Sequence, residues 1–288
     1  MKKILILGTT GLLGSTLLKY FSQKKNFECF GIIRKNSDKK KLKYIRNVKL
    51  YKTNYKNEDS IKRIFAIVKP DLIINCIGVV KQLIDKNNIS EIIKVNSFLP
   101  HYLSEIAKKQ KKIKFVHFST DCVFSGTKGN YYTTDLPDAK DIYGQSKFIG
   151  ELKAKNTLTL RTSIIGHELK TKYSLLNWFL DQKKSVKGFK NAIFSGLTAL
   201  EIAKVLHKFI LPKKNLNGLY HLSGKPISKY DLLNIIKKVY NKDIKILIDK
   251  KIKINRTLNS NFLQNQIGYK PQNWEKLIRE MYKFNMNK

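Results

Sequence analysis

Apolar and polar positions along the chain fall into blocks of two kinds. KKILILG, residues 2–8, is apolar almost throughout and closes on glycine, which predicts a buried parallel strand. LLGSTLLKYFSQ, residues 12–23, has helical spacing, and FECFGIIR, 27–34, reads as a second strand. A lysine-rich loop, a short strand at VKLYKTN (48–54) and a helix at DSIKRIFAIVK (59–69) follow. KPDLIINCIGVV, 69–80, is another apolar strand, introduced by a proline that punctuates the helix. ISEIIKVNSFLPHYLSEIAKKQ, 89–110, is helical, with Pro100 inside it, so the helix kinks or restarts there. KIKFVHFST (112–120) is a strand, DIYGQSKFIGELKAK (141–155) a helix and TLTLRTSIIG (157–166) a strand.

Strands therefore alternate with helices at βαβ lengths, and each strand is apolar on both faces. That pattern predicts a Rossmann-type, doubly wound α/β fold with a parallel sheet. Beyond about residue 166 the alternation loosens into helices at SLLNWFLDQ, TALEIAKVLHKFIL and KYDLLNIIKKVY and short strands at GLYHLSG and IKILID. The expected organisation is a dinucleotide-binding domain over 1–165 and a smaller C-terminal substrate-binding lobe over 166–288, with some segments of the latter returning to the core. A length of 288 residues and a hydrophobic fraction of 42% suffice for such a core.

Composition changes the picture in three ways. No apolar run reaches the roughly 18 residues of a membrane span, and glycines interrupt the N-terminal apolar run before a signal-peptide pattern forms, so a cytoplasmic protein is expected. Cys29, Cys76 and Cys122 are widely spaced and odd in number, which suggests neither a disulfide framework nor a zinc site; Cys29 and Cys76 read as core. The formal charge is +36, but only six of the 57 basic residues are Arg and the lysines are spread over the whole chain. Nucleic-acid sites favour clustered Arg with aromatic platforms, so the charge reads as a solvated coat that attracts small anions, without nucleic acid as partner.

Candidate chemistry begins at Gly8-Thr9-Thr10-Gly11-Leu12-Leu13-Gly14, between the first strand and the first helix. Glycines there permit a tight turn, a close backbone approach to a pyrophosphate at the helix N-terminus, and close helix–strand packing. Thr10, Gly11, Leu12 and Leu13 line this turn. The second strand ends in Arg34 and Lys35 instead of an acid, which favours NADPH through its 2′-phosphate, with NADH as the alternative. Asn54 is a candidate for adenine, and Cys76, Ile77 and Gly78 for the cofactor ribose.

Tyr143 and Lys147 are four positions apart in DIYGQSK and share a helical face. A nearby ammonium is expected to pull the phenol below its usual pKa of about 10 and let it exchange a proton with a carbonyl or alcohol oxygen. Ser119 and Thr120 offer a hydroxyl from the adjoining strand end.

Together, the glycine run, the strand ending in Ser-Thr-Asp and the Tyr-x-x-x-Lys pair resemble the extended short-chain dehydrogenase/reductases. FSTDCVFSGTKGNYYTTDLPDAKDIYGQSKFIGE is similar to the core of the dTDP-4-dehydrorhamnose reductases. So are PDLIINCIG, VNSFLPHYLSEIA, LRTSIIG and INRTLNSNFLQNQIGYKPQNWEKLI. The resemblance implies reduction of a 4-keto-6-deoxy nucleotide sugar for rhamnose or surface polysaccharide synthesis. Tyr143 would protonate the alkoxide, Lys147 would tune it and bind ribose, and Thr120, in preference to Ser119, would hold the keto oxygen. Asn96 matches a supporting asparagine. Val80, Lys81, Gln82, Asp121 and Cys122 would face the sugar; Cys122 stands where the family has Tyr and admits a role as second proton donor. His167 is a further substrate candidate, and Lys187 and Arg256 are candidates for the diphosphate. A metal is not expected, and a homodimer is admitted. The alternatives are an epimerase or dehydratase of the same fold, or a non-catalytic NADP-binding regulatory subunit.

Overall fold

The computed structural model describes residues 1–55, 57–84, 88–109 and 113–286. The chain divides into two compact units. The first comprises Met1–Ser119, Gln145–Leu160 and Asn215–Leu219; the second comprises Thr120–Gly144, Arg161–Lys214 and Tyr220–Lys288.

In chain order the first half runs β1 (Lys2–Leu7), α1 (Leu12–Ser22), β2 (Phe27–Ile33), α2 (Asp38–Leu42), β3 (Val48–Lys52), α3 (Glu58–Val68), β4 (Leu72–Asn75), α4 (Ile89–Ile92), α5 (Leu99–Lys108), β5 (Lys114–Thr120), α6 (Ile142–Ile149) and β6 (Thr157–Thr162). The second half adds β7 (Ile164–Ile165), α7 (Leu175–Asp181), β8 (Ser185–Phe189), β9 (Ala192–Phe194), β10 (Leu197–Thr198), α8 (Ala199–Val205), β11 (Gly218–His221), β12 (Ile227–Ser228), α9 (Lys229–Val239), β13 (Lys245–Asp249), β14 (Ile254–Asn255), α10 (Asn261–Ile267) and α11 (Trp274–Met286).

Seven strands form one sheet in the order β11-β6-β5-β4-β1-β2-β3. β1 pairs in parallel with β2 and with β4, so the winding reverses at the β1/β4 boundary. In such sheets the crevice beyond the strand C-termini at that boundary is where ligands bind. The strands are apolar on both faces because helices cover both. Leu5, Leu7, Phe30, Ile32, Ile73 and Phe115 pack with Ile61, Phe65 and Val68 of α3 and with Leu99, Leu103 and Ile106 of α5.

Two elements, β4 and α6, differ from their sequence expectation, and the structure decides a third between its two alternatives. β4 ends at Asn75, because the Asn75 side chain turns back to accept the Ile77 backbone N–H at 3.1 Å and ends the ladder. The helix over 89–108 restarts at Pro100, one of the two outcomes expected. It widens into a π-turn over Ile93–Phe98, and Pro100 then lies in the first turn of α5, where its missing N–H costs nothing. α6 ends at Ile149 and does not run on to 155. At the next position a Cβ on Gly150 would lie 2.0 Å from the Asn96 carbonyl oxygen, so only glycine fits.

The second unit holds the pairs β7/β10 and β8/β13 and the sheet β12-β9-β14. Helices α8 and α9 both pack on α11. A smaller apolar cluster of Val123, Phe124, Tyr131 and Leu258 anchors the loop after β5, with the Phe124 and Tyr131 rings stacked at 4.1 Å. No helix among the described residues is long and apolar enough to cross a membrane.

Candidate active site

The turn after β1 is built by its backbone. Gly8 adopts φ +79°, and a Cβ there would stand 2.8 Å from the Cys76 carbonyl oxygen at the end of β4. A Cβ on Gly14 would lie 2.2 Å from the Gly8 carbonyl oxygen, so α1 sits directly against the turn. Gly11 caps α1 with no side chain of its own, which leaves the first N–H groups of an 11-residue helix facing outward as donors. Thr9 is buried and its hydroxyl donates to the Ile32 carbonyl at 2.6 Å, tying the turn to β2. Leu13 is buried while Thr10 and Leu12 are half-buried, so Leu13 serves packing. This cradle fits a dinucleotide pyrophosphate: positive dipole, free donors and no side chain in the way.

At the end of β2, Arg34 and Lys35 are exposed. The nearest acid, Asp38, is turned inward, accepting the Lys35 backbone N–H at 3.3 Å and pairing with Lys41 at 3.8 Å. The acid is thus engaged in the first turn of α2, and the cations face solvent. Asn54 is exposed after β3, with its carbonyl accepting the Asn57 N–H at 2.9 Å.

Beyond β4, Cys76 and Ile77 are half-buried and Gly78 is exposed. The loop is held by Asn96, which is fully buried in the π-turn. Its side-chain oxygen accepts the Val79 N–H at 2.8 Å, and its amide donates to the Val79 carbonyl and to the Ser146 hydroxyl, each at 3.2 Å. Ser97 adds a bond from its hydroxyl to the Ser146 carbonyl at 2.8 Å. The extra residue of the π-turn aims these side chains at α6. Val80 and Lys81, with Gln82, lie exposed beyond this clamp.

Lys147 is 6% exposed and donates to the Phe118 carbonyl at 2.7 Å. Burial pulls its ammonium down to about 8, opposed chiefly by Glu151. Cys76 itself is driven well above the thiol range by burial and stays protonated. On β5, fully buried His117 accepts from the Asn75 amide at 3.2 Å when its Nδ1 is unprotonated, and burial together with Lys147 holds it neutral. Ser119 donates to Glu151 at 2.7 Å.

In the second unit Thr120, Asp121, Cys122, Tyr143 and Arg256 come together. The Thr120 hydroxyl accepts the Cys122 N–H at 3.1 Å and hydrogen-bonds the Tyr143 side chain. Asp121 is buried, and burial raises its carboxyl despite Arg256 nearby. Arg256 donates to the Phe124 carbonyl at 2.8 Å and stands 3.8 Å from the Cys122 sulfur. The Tyr143 phenol lies above its ordinary range, not below it as a lysine neighbour alone would set it. Burial dominates, with the Cys122 thiol and the Asp121 and Asp141 carboxyls acting in the same sense. A phenol so placed holds its proton at neutral pH. Gly144, next to Tyr143, admits no side chain: a Cβ would stand 2.3 Å from the Cys122 carbonyl oxygen.

α6 carries both Tyr143 and Lys147, one helical turn apart. Of the other candidates, His167 bonds the Tyr240 hydroxyl at 2.8 Å, and Lys187 is exposed on β8, which pairs with β13. Sequence reasoning missed Glu151, Ser146, Asn75 and His117. Glu151 and Ser146 flank Lys147 in the quoted motif, and Asn75 pairs with His117 across β4 and β5, which no linear spacing displays. Among the described residues no group of three or more His, Cys, Asp or Glu is placed to hold a metal.

Comparison with known proteins agrees with this arrangement. The chain is 23% identical to the spore coat polysaccharide biosynthesis protein SpsK of Bacillus subtilis over 97% of this chain and 96% of that protein. It is 23% identical to the methionine adenosyltransferase 2 subunit beta of Danio rerio over 83% of this chain and 74% of that one. The fold is that of the dTDP-4-dehydrorhamnose reductase of Bacillus anthracis in complex with NADP, at a TM-score of 0.78, 17% identity, and coverage of 98% of this chain and 99% of that chain. A family model described as the RmlD substrate binding domain matches residues 1–285, and the chain therefore belongs to that family, the RmlD-like extended short-chain dehydrogenase/reductases.

Proposed function

We propose that the protein reduces the 4-keto group of a 4-keto-6-deoxy nucleotide sugar with NADPH, in the supply of a rhamnose or other surface polysaccharide precursor. The observation that carries this reading is the Tyr143 phenol, protonated by its surroundings and hydrogen-bonded to Thr120, with Lys147 one turn further along α6. The cradle of Gly8, Gly11 and Gly14 fits the pyrophosphate, and Arg34 with Lys35 suits a 2′-phosphate. When bound, the reduced nicotinamide would supply a hydride, one proton with two electrons, to the keto carbon.

The chain's own residues handle the proton. Thr120 holds the keto oxygen and Tyr143 delivers its phenolic proton to it as the alkoxide forms. Lys147 stabilises the phenolate left behind, which then recovers a proton from water. The strongly positive protein field raises the local concentration of a nucleotide diphosphate.

The test follows absorbance of the reduced nicotinamide with a dTDP-4-keto-6-deoxy sugar, wild type beside Tyr143→Phe. Wild type should consume NADPH, and the variant should lose about 10²–10⁴-fold in kcat. Purified protein that retains NAD(H) and shows no net consumption would replace this reading with an epimerase or dehydratase. NADPH binding without turnover on dTDP-, UDP- and GDP-linked substrates would replace it with a regulatory subunit.

A further inference from the structure

We propose that Glu151 is the positioning residue for Lys147: its carboxylate, oriented by the Ser119 hydroxyl, is the counter-charge that keeps the buried amine charged and directed inward. The inference rests on the role proposed above for Lys147 but makes its own prediction about the amine. An ammonium that is 6% exposed is costly unless it is paired and hydrogen-bonded. The hydrogen bond is in place, from Nζ to the Phe118 carbonyl at 2.7 Å. The carbonyl is neutral, so the charge must be balanced elsewhere.

The titratable groups that act on Lys147 come from three elements. Cys76, after β4, is protonated and brings no charge. His117, on β5, is neutral and would only repel if charged. Glu151, just past α6, brings a negative charge. It stands four residues after Lys147 and two past the end of α6, where Gly150 N–H bonds the Ser146 carbonyl at 3.2 Å and Glu151 N–H closes a tighter turn on the Phe148 carbonyl at 3.0 Å. The Gly150 position tolerates no side chain, which fixes where Glu151 emerges. The carboxylate is then held from the other side by Ser119, at 2.7 Å. Ser119 and Phe118 are consecutive on β5, so one strand end presents a carbonyl to the amine and a hydroxyl to its counter-charge. This also explains why the two hydroxyls of Ser119-Thr120 part company: Ser119 serves Glu151, and Thr120 serves Asp121 and Tyr143.

The experiment reads the amine directly. Lysine carrying 13C at Cε is incorporated, Lys147 is assigned with Lys147→Arg, and its titration is followed by NMR in wild type, Glu151→Gln, Glu151→Asp and Ser119→Ala. Glu151→Gln should lower the Lys147 titration by about one pH unit. Ser119→Ala should lower it less, and Glu151→Asp should restore most of it. The alkaline limb of the kcat/KM profile should move down in parallel. An unchanged Lys147 titration in a folded Glu151→Gln protein overturns the proposal. If no substrate is turned over, the reductase reading fails while the NMR result still decides this one. If Glu151→Gln does not fold, Ser119→Ala and Glu151→Asp decide: no movement of the Lys147 titration in either overturns it.

Discussion

Asn96→Ala tests how the loop after β4 is held against α6. Three hydrogen bonds leave from this one side chain, two to the backbone of Val79 and one to Ser146, and the residue is fully buried. At a net of about 1 kcal/mol per bond, truncation removes about 3 kcal/mol, a large share of the 5–15 kcal/mol that holds a typical domain. The loss is not confined to stability. Val79 follows Gly78, and a Cβ on Gly78 would meet the Asn96 oxygen at 3.4 Å, so the clamp also fixes the loop expected beside the cofactor. Ser146 precedes Lys147, so the same clamp sets the rotation of α6. Urea unfolding should show the midpoint shift. Hydrogen exchange should show the Val79 amide losing protection before the β4 amides do. The dissociation constant for NADPH should rise about tenfold or more. Unchanged stability with Val79 still protected would refute the reasoning, because it would mean the backbone holds the loop without the side chain.

Further outcomes follow from single sites. Gly14→Ala should abolish dinucleotide binding, measured by nicotinamide fluorescence, because its Cβ would lie 2.2 Å from the backbone oxygen of Gly8 and neither backbone can yield. Arg34→Ala should raise KM for NADPH about tenfold and leave KM for NADH unchanged; equal effects on both would exclude a 2′-phosphate contact. His221 is buried, and burial with the Arg161 guanidinium depresses it to about 4. A folded value below the unfolded 6.5 means its contribution is complete above about pH 6.5 and is lost as pH falls toward 4; the ceiling is about 3 kcal/mol. Unfolding free energies from pH 8 to 4 should therefore fall less steeply in His221→Gln than in wild type, and parallel curves would contradict this assignment.

The sequence by itself determined the elements of the nucleotide-binding half and their order. Continuous apolar runs such as ILIL and LIIN can be satisfied only inside a sheet covered on both faces, and the glycines after the first of them mark where the backbone must approach a ligand. It also placed Tyr143 and Lys147 on one face, since four residues make one helical turn whatever the helix packs against. What only the tertiary structure decided concerns groups that meet across the chain. Asn96 finds Val79 and Ser146, which are 17 and 50 residues away, because a π-turn adds one residue to its helix. Ser119 and Thr120 are adjacent and chemically alike, yet one faces Glu151 and the other Tyr143, because successive side chains on a strand leave on opposite faces. The proton affinity of Tyr143 depends on burial and on the Cys122, Asp121 and Asp141 groups around it. A pattern that records the residue types within one helix contains neither of those, so it foretold the pair and misjudged the direction in which its phenol is tuned.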